Sequence, residues 1–394
     1  MRRICYVIGA GLTKALERDR EHRVPLMWDF VSVLADHIAS DVVLTTLVTL
    51  EIAEAFEYSL PAWKAMAKAL TKYSPREARE AYAAIVRRRP AENIEKLLQA
   101  AHARRHTDIY ADTVPARFSF AINDVFSRVG WNVRMNLLTE FLRQQFAMPE
   151  TAHTFIDYNY DLVLDASVAK AAEARWNPVA GYGVPFRYVL HVDETADHMR
   201  QFRGSGGGYQ LLAPHLAPNL RTTDIQILKP HGSLNWAAEF TGNYDFTDRD
   251  PLLILRPDAT IGYYPPFDAL QVEGTELGET GFDAALYVVP PRDTPSGDAE
   301  GVFLQRVTQA YREALASADD IVIIGWSMPS TDKGEVANIA RVLATRTAQP
   351  CVLVANLHAD VSYFRRVAEL CNVPLDRLTI FNDGFEDFVR TVQF

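Results

Sequence analysis

His231 follows Ile225-Gln226-Ile227-Leu228-Lys229-Pro230, an apolar run closed by a proline, and precedes Gly232-Ser233-Leu234-Asn235-Trp236. Ile225, Ile227 and Leu228 read as a short buried strand. Pro230, which has no N–H to give a sheet ladder, ends it. Gly232 lets the chain turn sharply just beyond. An imidazole at a strand end can take or give a proton near neutral pH, and strand ends of open α/β sheets are where ligands bind. A hydrogen-bonded turn histidine is the plainer alternative. Gly9-Ala10-Gly11 is a second such place. Backbone N–H groups in a strand-to-helix turn can approach a pyrophosphate, and the helix dipole favours the anion. The third glycine of the full dinucleotide fingerprint is missing, so a tight structural turn stands beside the phosphate site as a reading. Asn159 and Asp161, within Asp157-Tyr158-Asn159-Tyr160-Asp161, sit where a strand hands over to a helix. Asn and Asp also cap helices well.

The elements that must position these residues alternate. Ile4-Cys5-Tyr6-Val7-Ile8 is a continuous apolar run, as in a strand buried on both faces, and residues 12–16 look helical. From about 28 to 150 the pattern is helical, with a capping box at Ser74-Pro75-Arg76-Glu77, a break at Pro90, a helix through Asn93-Ile94-Glu95 and a last long helix over 133–146. His102 and His106 share a spacing of four, and Arg87, Arg88, Arg89, Arg104 and Arg105 cluster near them; solvated helix ends explain both better than a metal or phosphate site. Strand resumes at 153–156. Residues 171–221 read as irregular, with Gly204 to Gly208 a flexible loop. Further strands are expected at 252–255, 285–289, 320–324, 351–355 and 378–381, and helices at 302–318, 334–346 and 385–392. The fold class expected is α/β, a doubly wound parallel sheet of Rossmann-like kind over 1–27 and 151–394, with a helical insertion over 28–150.

The 394 residues are 48% hydrophobic and 23% charged, the balance of a globular protein with a sizeable core. A formal charge of -10 argues against non-specific nucleic-acid binding, and no direct nucleic-acid contact is expected. Cys5, Cys351 and Cys371 form no C-x-x-C pair, which excludes a four-cysteine zinc ribbon, so no metal is expected. Few cysteines and no signal peptide point to the cytoplasm; no apolar run spans a membrane.

Taken in order, these pieces resemble the sirtuin-like NAD-binding family, and within it the bacterial branch of anti-phage defence. Gly9-Ala10-Gly11 with Thr13 is similar to its glycine-alanine-glycine-x-Ser/Thr opening, and Val24-Pro25-Leu26 to the proline segment that follows. Asn93-Ile94-Glu95 resembles a helical signature of the defence branch. Asn159-Tyr160-Asp161 resembles its asparagine-x-aspartate element and His231-Gly232-Ser233 its histidine-glycine element. Gly325-Trp326-Ser327 and Asn356 fall where the family holds its cofactor. Asp157 departs from the Thr or Ser that many members carry there. The absent cysteine quartet departs from the protein-deacylating members.

The resemblance implies an NAD hydrolase that cleaves the nicotinamide–ribose bond and acts in defence by depleting NAD. Gly9, Ala10 and Gly11 would meet the phosphates. Asp161 would accept from the nicotinamide carboxamide, and Asn159 would orient the ribose and the attacking water. His231 would be the general base, and Gly325, Ser327 and Asn356 would hold the adenosine half. An NAD-dependent deacylase or ADP-ribosyl transferase, and a nucleotide-sensing subunit without turnover, remain open. A homo-oligomer is expected, working with a HerA-type ring ATPase in preference to a short Argonaute. Val42, Val43, Leu44, Leu47 and Val48 would supply apolar surface for such contacts.

Overall fold

The chain's structure, a computed structural model, describes residues 1–18, 23–26, 29, 30, 33, 77, 80, 122, 126, 133–192, 209–212, 224–239, 248–255, 270–272, 282–289, 301–357 and 359–392. Its centre is β1 (Arg2–Ile8), whose residues from Ile4 to Ile8 are all buried. A strand with neighbours on both edges and layers on both faces has no polar side to show, which is why its sequence does not alternate. β1 leads into a single helical turn, α1 (Gly11–Ala15). The amphipathic α2 (Met135–Phe146) returns the chain to β2 (Thr151–Asp157), which α3 (Val163–Ala172) and the short α4 (Pro178–Gly181) follow.

Two sheets follow from the remaining strands. β1 and β2 join β5 (Ile225–Leu228), β10 (Asp320–Ile324), β11 (Cys351–Ala355) and β12 (Leu378–Phe381) in the order β12-β11-β10-β1-β2-β5. Every pairing in that sheet is parallel. Counted among its own strands the order is 3-2-1-4-5-6 reversed end to end, that of a Rossmann fold, and its switch point lies between β1 and β10. Helices α5 (Gly301–Ser317), α6 (Lys333–Ala344) and α7 (Val361–Cys371) pack on one another. Helices α1, α2 and α3 form a second group with α8 (Phe385–Thr391), where Phe141 of α2 meets Phe385 and Phe388 of α8. Two helix groups around one parallel sheet is the doubly wound arrangement expected.

The other sheet was not expected. β3 (Tyr188–Val192), β4 (Tyr209–Leu212), β6 (Gly232–Glu239), β7 (Leu252–Leu255), β8 (Leu270–Val272) and β9 (Phe282–Val288) form a mixed sheet in the order β4-β3-β7-β6-β9-β8. Thus 252–255 and 285–289, read as members of the parallel sheet, belong elsewhere. The segment read as irregular contains α4, β3 and β4. Buried aromatics fill the space beside this sheet: Trp236 meets Tyr182, Phe186 and Phe303 edge-on at ring distances of 5.2, 5.6 and 5.5 Å.

The joint between the sheets is short. β5 ends at Leu228 and β6 begins at Gly232, so the chain changes sheets within three residues. Gly232 has φ +79, and a Cβ there would lie 2.0 Å from the Tyr287 carbonyl oxygen. Only glycine permits that passage.

Of the expected 28–150 insertion, Phe30, Val33, Ile122 and Phe126 are helical and buried, with the Phe30 and Phe126 rings 5.8 Å apart. The readings at Pro90, Asn93, Ile94, Glu95, His102 and His106, at the arginines of 87–89 and 104–105, at 42–48 and at glycines 204–208 lie outside the described residues. Among the described residues no helix is long and apolar enough to cross a membrane.

Candidate functional site

The parallel register aligns the carboxyl ends of the strands. Ile8 pairs with Asp157 on one side and Ile324 on the other, Ile324 pairs with Ala355, and Ile156 with Leu228. The candidate residues Gly9, Ala10, Gly11, Thr13, Asn159, Asp161, His231, Gly325, Ser327 and Asn356 therefore gather along one edge of the sheet, the edge where open α/β sheets hold ligands.

At the switch point the two glycine turns touch. A Cβ on Gly11 would lie 2.7 Å from the Gly325 Cα, and one on Gly325, whose φ is +60, would lie 2.3 Å from the Leu12 nitrogen. The Gly9 N–H donates to the Ile324 carbonyl at 3.0 Å and the Gly11 N–H to the Gly325 carbonyl at 2.9 Å. Of the three N–H groups expected to meet phosphates, two thus have protein acceptors in this conformation. Ala10 has none among the described residues.

Asn159 and Asp161 are both buried; Asn159 makes no bond to the start of α3, and Asp161 bonds only its first N–H, from one residue before the N-cap. The Asn159 side-chain amide donates to the Gly9 carbonyl at 3.2 Å, fastening the β2 loop to the glycine turn. Asp161 accepts the Val163 N–H at 3.0 Å through one oxygen and the Thr13 hydroxyl at 3.0 Å through the other. Thr13 and Asp161 therefore meet each other, and both Asp161 oxygens already have donors. Burial pushes the Asp161 carboxyl above its ordinary range against the opposing pull of Lys229.

His231 is 2% exposed, and its Nε2 has no hydrogen-bond partner among the described residues. Its ring lies 5.2 Å from that of Tyr158 and 6.2 Å from that of Tyr160. Burial lowers the imidazole to about 3, with a hydrogen bond to the Tyr158 backbone pulling weakly the other way, so the ring is neutral at physiological pH. Tyr158 has a buried hydroxyl that also lacks a partner among the described residues, and its ring stacks on Trp326 at 5.2 Å and 15°. Trp326 is fixed in turn by its indole N–H on Asp332 at 2.9 Å and by the Tyr363 hydroxyl on its carbonyl at 2.6 Å.

Ser327 is exposed and Asn356 half-buried, and no hydrogen bond ties either to Asn159 or His231 among the described residues. The Asn356 Oδ1 accepts the Leu357 N–H at 3.0 Å. These two sit on the β10 and β11 side of the switch point, and the asparagine and histidine on the β2 and β5 side.

Sequence reasoning missed the centre of the arrangement. Lys229, fully buried, donates to Asp157 Oδ2 at 3.1 Å, to the Asp161 carbonyl at 2.7 Å and to Asp165 Oδ2 at 3.0 Å. Asp157 also accepts the Asn159 N–H at 3.1 Å. Asp165 accepts the Tyr182 hydroxyl at 2.5 Å; Tyr182 accepts from Asn235 at 2.9 Å, and Asn235 from Ser233 at 2.7 Å. Burial presses the Lys229 ammonium down, but Asp157, Asp165 and Asp161 outweigh it and hold it above the ordinary lysine value. Burial pushes Asp157 up to about 7, Lys229 opposing and the two neighbouring aspartates assisting. The signal available in the sequence was one lysine closing an otherwise apolar strand, which a buried strand tolerates only with partners.

Among the described residues no three metal-ligating side chains come together. No known family model matches the chain, and no curated protein does.

Proposed function

We propose that the chain hydrolyses NAD at the nicotinamide–ribose bond and acts as an NAD-depleting effector in anti-phage defence. The observation that carries this reading is the convergence of Gly9-Ala10-Gly11, Asn159 and an unpartnered His231 Nε2 at one edge of a Rossmann-ordered sheet. The Ala10 N–H and the start of α1 receive the pyrophosphate. The ribose lies towards Asn159 and His231. Departure of nicotinamide leaves positive charge at the anomeric carbon, and water completes the bond there while losing a proton. A neutral Nε2 is an acceptor for a ribose hydroxyl or for that water. Asn159 orients the ribose and the water by a carboxamide that carries no charge of its own.

One observation favours a second reading, a subunit that binds NAD or ADP-ribose without turnover. The Gly9 and Gly11 N–H groups are bonded within the protein, and burial holds His231 below the ordinary histidine range, which weakens it as a base. A homo-oligomer controlled by a HerA-type ring ATPase is part of the hydrolase reading.

The test is nicotinamide release by the purified chain, alone and with co-expressed partners, for the wild type and for Asn159→Ala and His231→Ala. Each variant is expected to lose turnover by about 100-fold or more. Near wild-type release by either sinks the assignment. Tight NAD binding with no release under any condition selects the sensing subunit.

A further inference from the structure

The buried ammonium of Lys229 spends its three protons on Asp157, the Asp161 carbonyl and Asp165. Two of those acceptors belong to the turn that carries Asn159. Asp157 opens that turn and binds the Asn159 N–H through its other oxygen, and Asp161 closes it. Lys229 itself lies two residues before His231 and is held to that distance by Pro230. One side chain thus ties the loop after β2 to the strand end after β5, and with them the two groups proposed to handle the ribose and the proton. Asp165 of α3 anchors the ammonium from below and is itself fixed by Tyr182.

We propose that Lys229 and Asp157 are positioning residues, a clamp that sets Asn159 against His231, and that the clamp is tight only while Asp157 is ionised. This rests on the hydrolase reading and adds to it two residues and a pH control. A protonated Asp157 has no charge for Lys229 to hold, and its acid proton competes for the oxygens that bind Lys229 and Asn159. The charged and titratable groups facing Asp157 are Lys229 from the strand end after β5 and Asp161 and Asp165 from the β2–α3 segment, with Tyr182 behind Asp165. His231 is neutral across this range and does not contribute. Burial raises the Asp157 carboxyl above the ordinary carboxylate range, which brings its protonation towards neutral pH.

The experiment is nicotinamide release from NAD across pH 5.5 to 9 by wild type, Asp157→Asn and Asp157→Thr, with ADP-ribose affinity measured alongside. Asp157→Asn keeps an acceptor for the Asn159 N–H and removes the charge. The wild-type rate is expected to fall towards the acid end of that range as Asp157 takes a proton. Asp157→Asn is expected to lower kcat about 10- to 100-fold with KM within about twofold, and to lose that acid limb. Unchanged kcat and an unchanged limb in Asp157→Asn overturn the clamp and leave the hydrolase standing. So does loss of fold and of ADP-ribose binding in both variants, which makes Asp157 a residue of the fold alone. A wild type that neither binds NAD nor releases nicotinamide, with or without co-expressed partners, overturns the hydrolase reading and the clamp together.

Discussion

Replacing Lys229 with methionine tests the electrostatics of the strand-end cluster without any assay of activity. Methionine fills nearly the same volume, so the change removes charge and three hydrogen bonds and leaves packing almost intact. What remains is Asp157 and Asp165 buried with no cation between them. Breaking a buried ion pair by removing one partner costs about 3–5 kcal/mol. Asp157 can relieve part of that by taking a proton, and the relief depends on pH. In the wild type its carboxyl stands at about 7, and Lys229 is among the causes that lower it. Without the ammonium, the carboxyl holds its proton to higher pH. Unfolded aspartate is deprotonated throughout this range, so folded Lys229→Met keeps a proton that its unfolded state lacks and that the folded wild type gives up as pH rises. Its stability therefore falls, relative to wild type, as pH rises through the range in which the wild-type carboxyl loses its proton. Across the wild-type titration the extra loss is on the order of 1 kcal/mol. Urea unfolding followed by tryptophan fluorescence, at pH 6 and at pH 8, measures it. Equal destabilisation at the two pH values refutes the assignment of the proton to Asp157. A loss below about 1 kcal/mol at pH 8 refutes the buried pair itself.

Gly325→Ala puts a Cβ 2.3 Å from the Leu12 nitrogen at φ +60, so it should cost more than the roughly 1–2 kcal/mol of a left-handed alanine and pry the two glycine turns apart. A lowered melting temperature together with weakened NAD binding is expected, and wild-type values of both contradict the close contact. His153, buried with its Nε2 unpartnered and its Nδ1 3.3 Å from the Tyr6 hydroxyl, is lowered to about 4 by burial. Its unfolded form takes the proton first, so it withdraws about 2 kcal/mol of stability as pH falls from 6.5 to 4.5. His153→Phe should lose correspondingly less over that interval, and the comparison with wild type cancels the opposite slope that the raised Asp157 and Asp161 contribute to both.

Local sequence determined the strands of the parallel sheet and where they end. The runs at 4–8, 320–324 and 351–355 lack polar alternation because both their faces are covered, and that is written in the residues themselves. The glycines at 9, 11, 232 and 325 mark backbone turns that other residues cannot make, so the candidate site was legible as a set of strand ends. The second sheet was not. β6, β7 and β9 are apolar runs like those of the first sheet, and nothing within a strand names its partner or the direction of pairing. The Gly232 passage separates them by sending the chain out of one sheet and into the other. Nor was the clamp legible, since Lys229 lies 72 residues from Asp157 and 64 from Asp165. Asn159 and Asp161 resembled helix caps, and only packing decided that Asn159 reaches the Gly9 carbonyl instead and that Asp161, while accepting the first N–H of α3, also holds Thr13. The protonation states belong wholly to the tertiary structure. An imidazole is lowered and a carboxyl raised by the water that folding removes and the charges it brings near, and neither is a property of the residue or its neighbours in the chain.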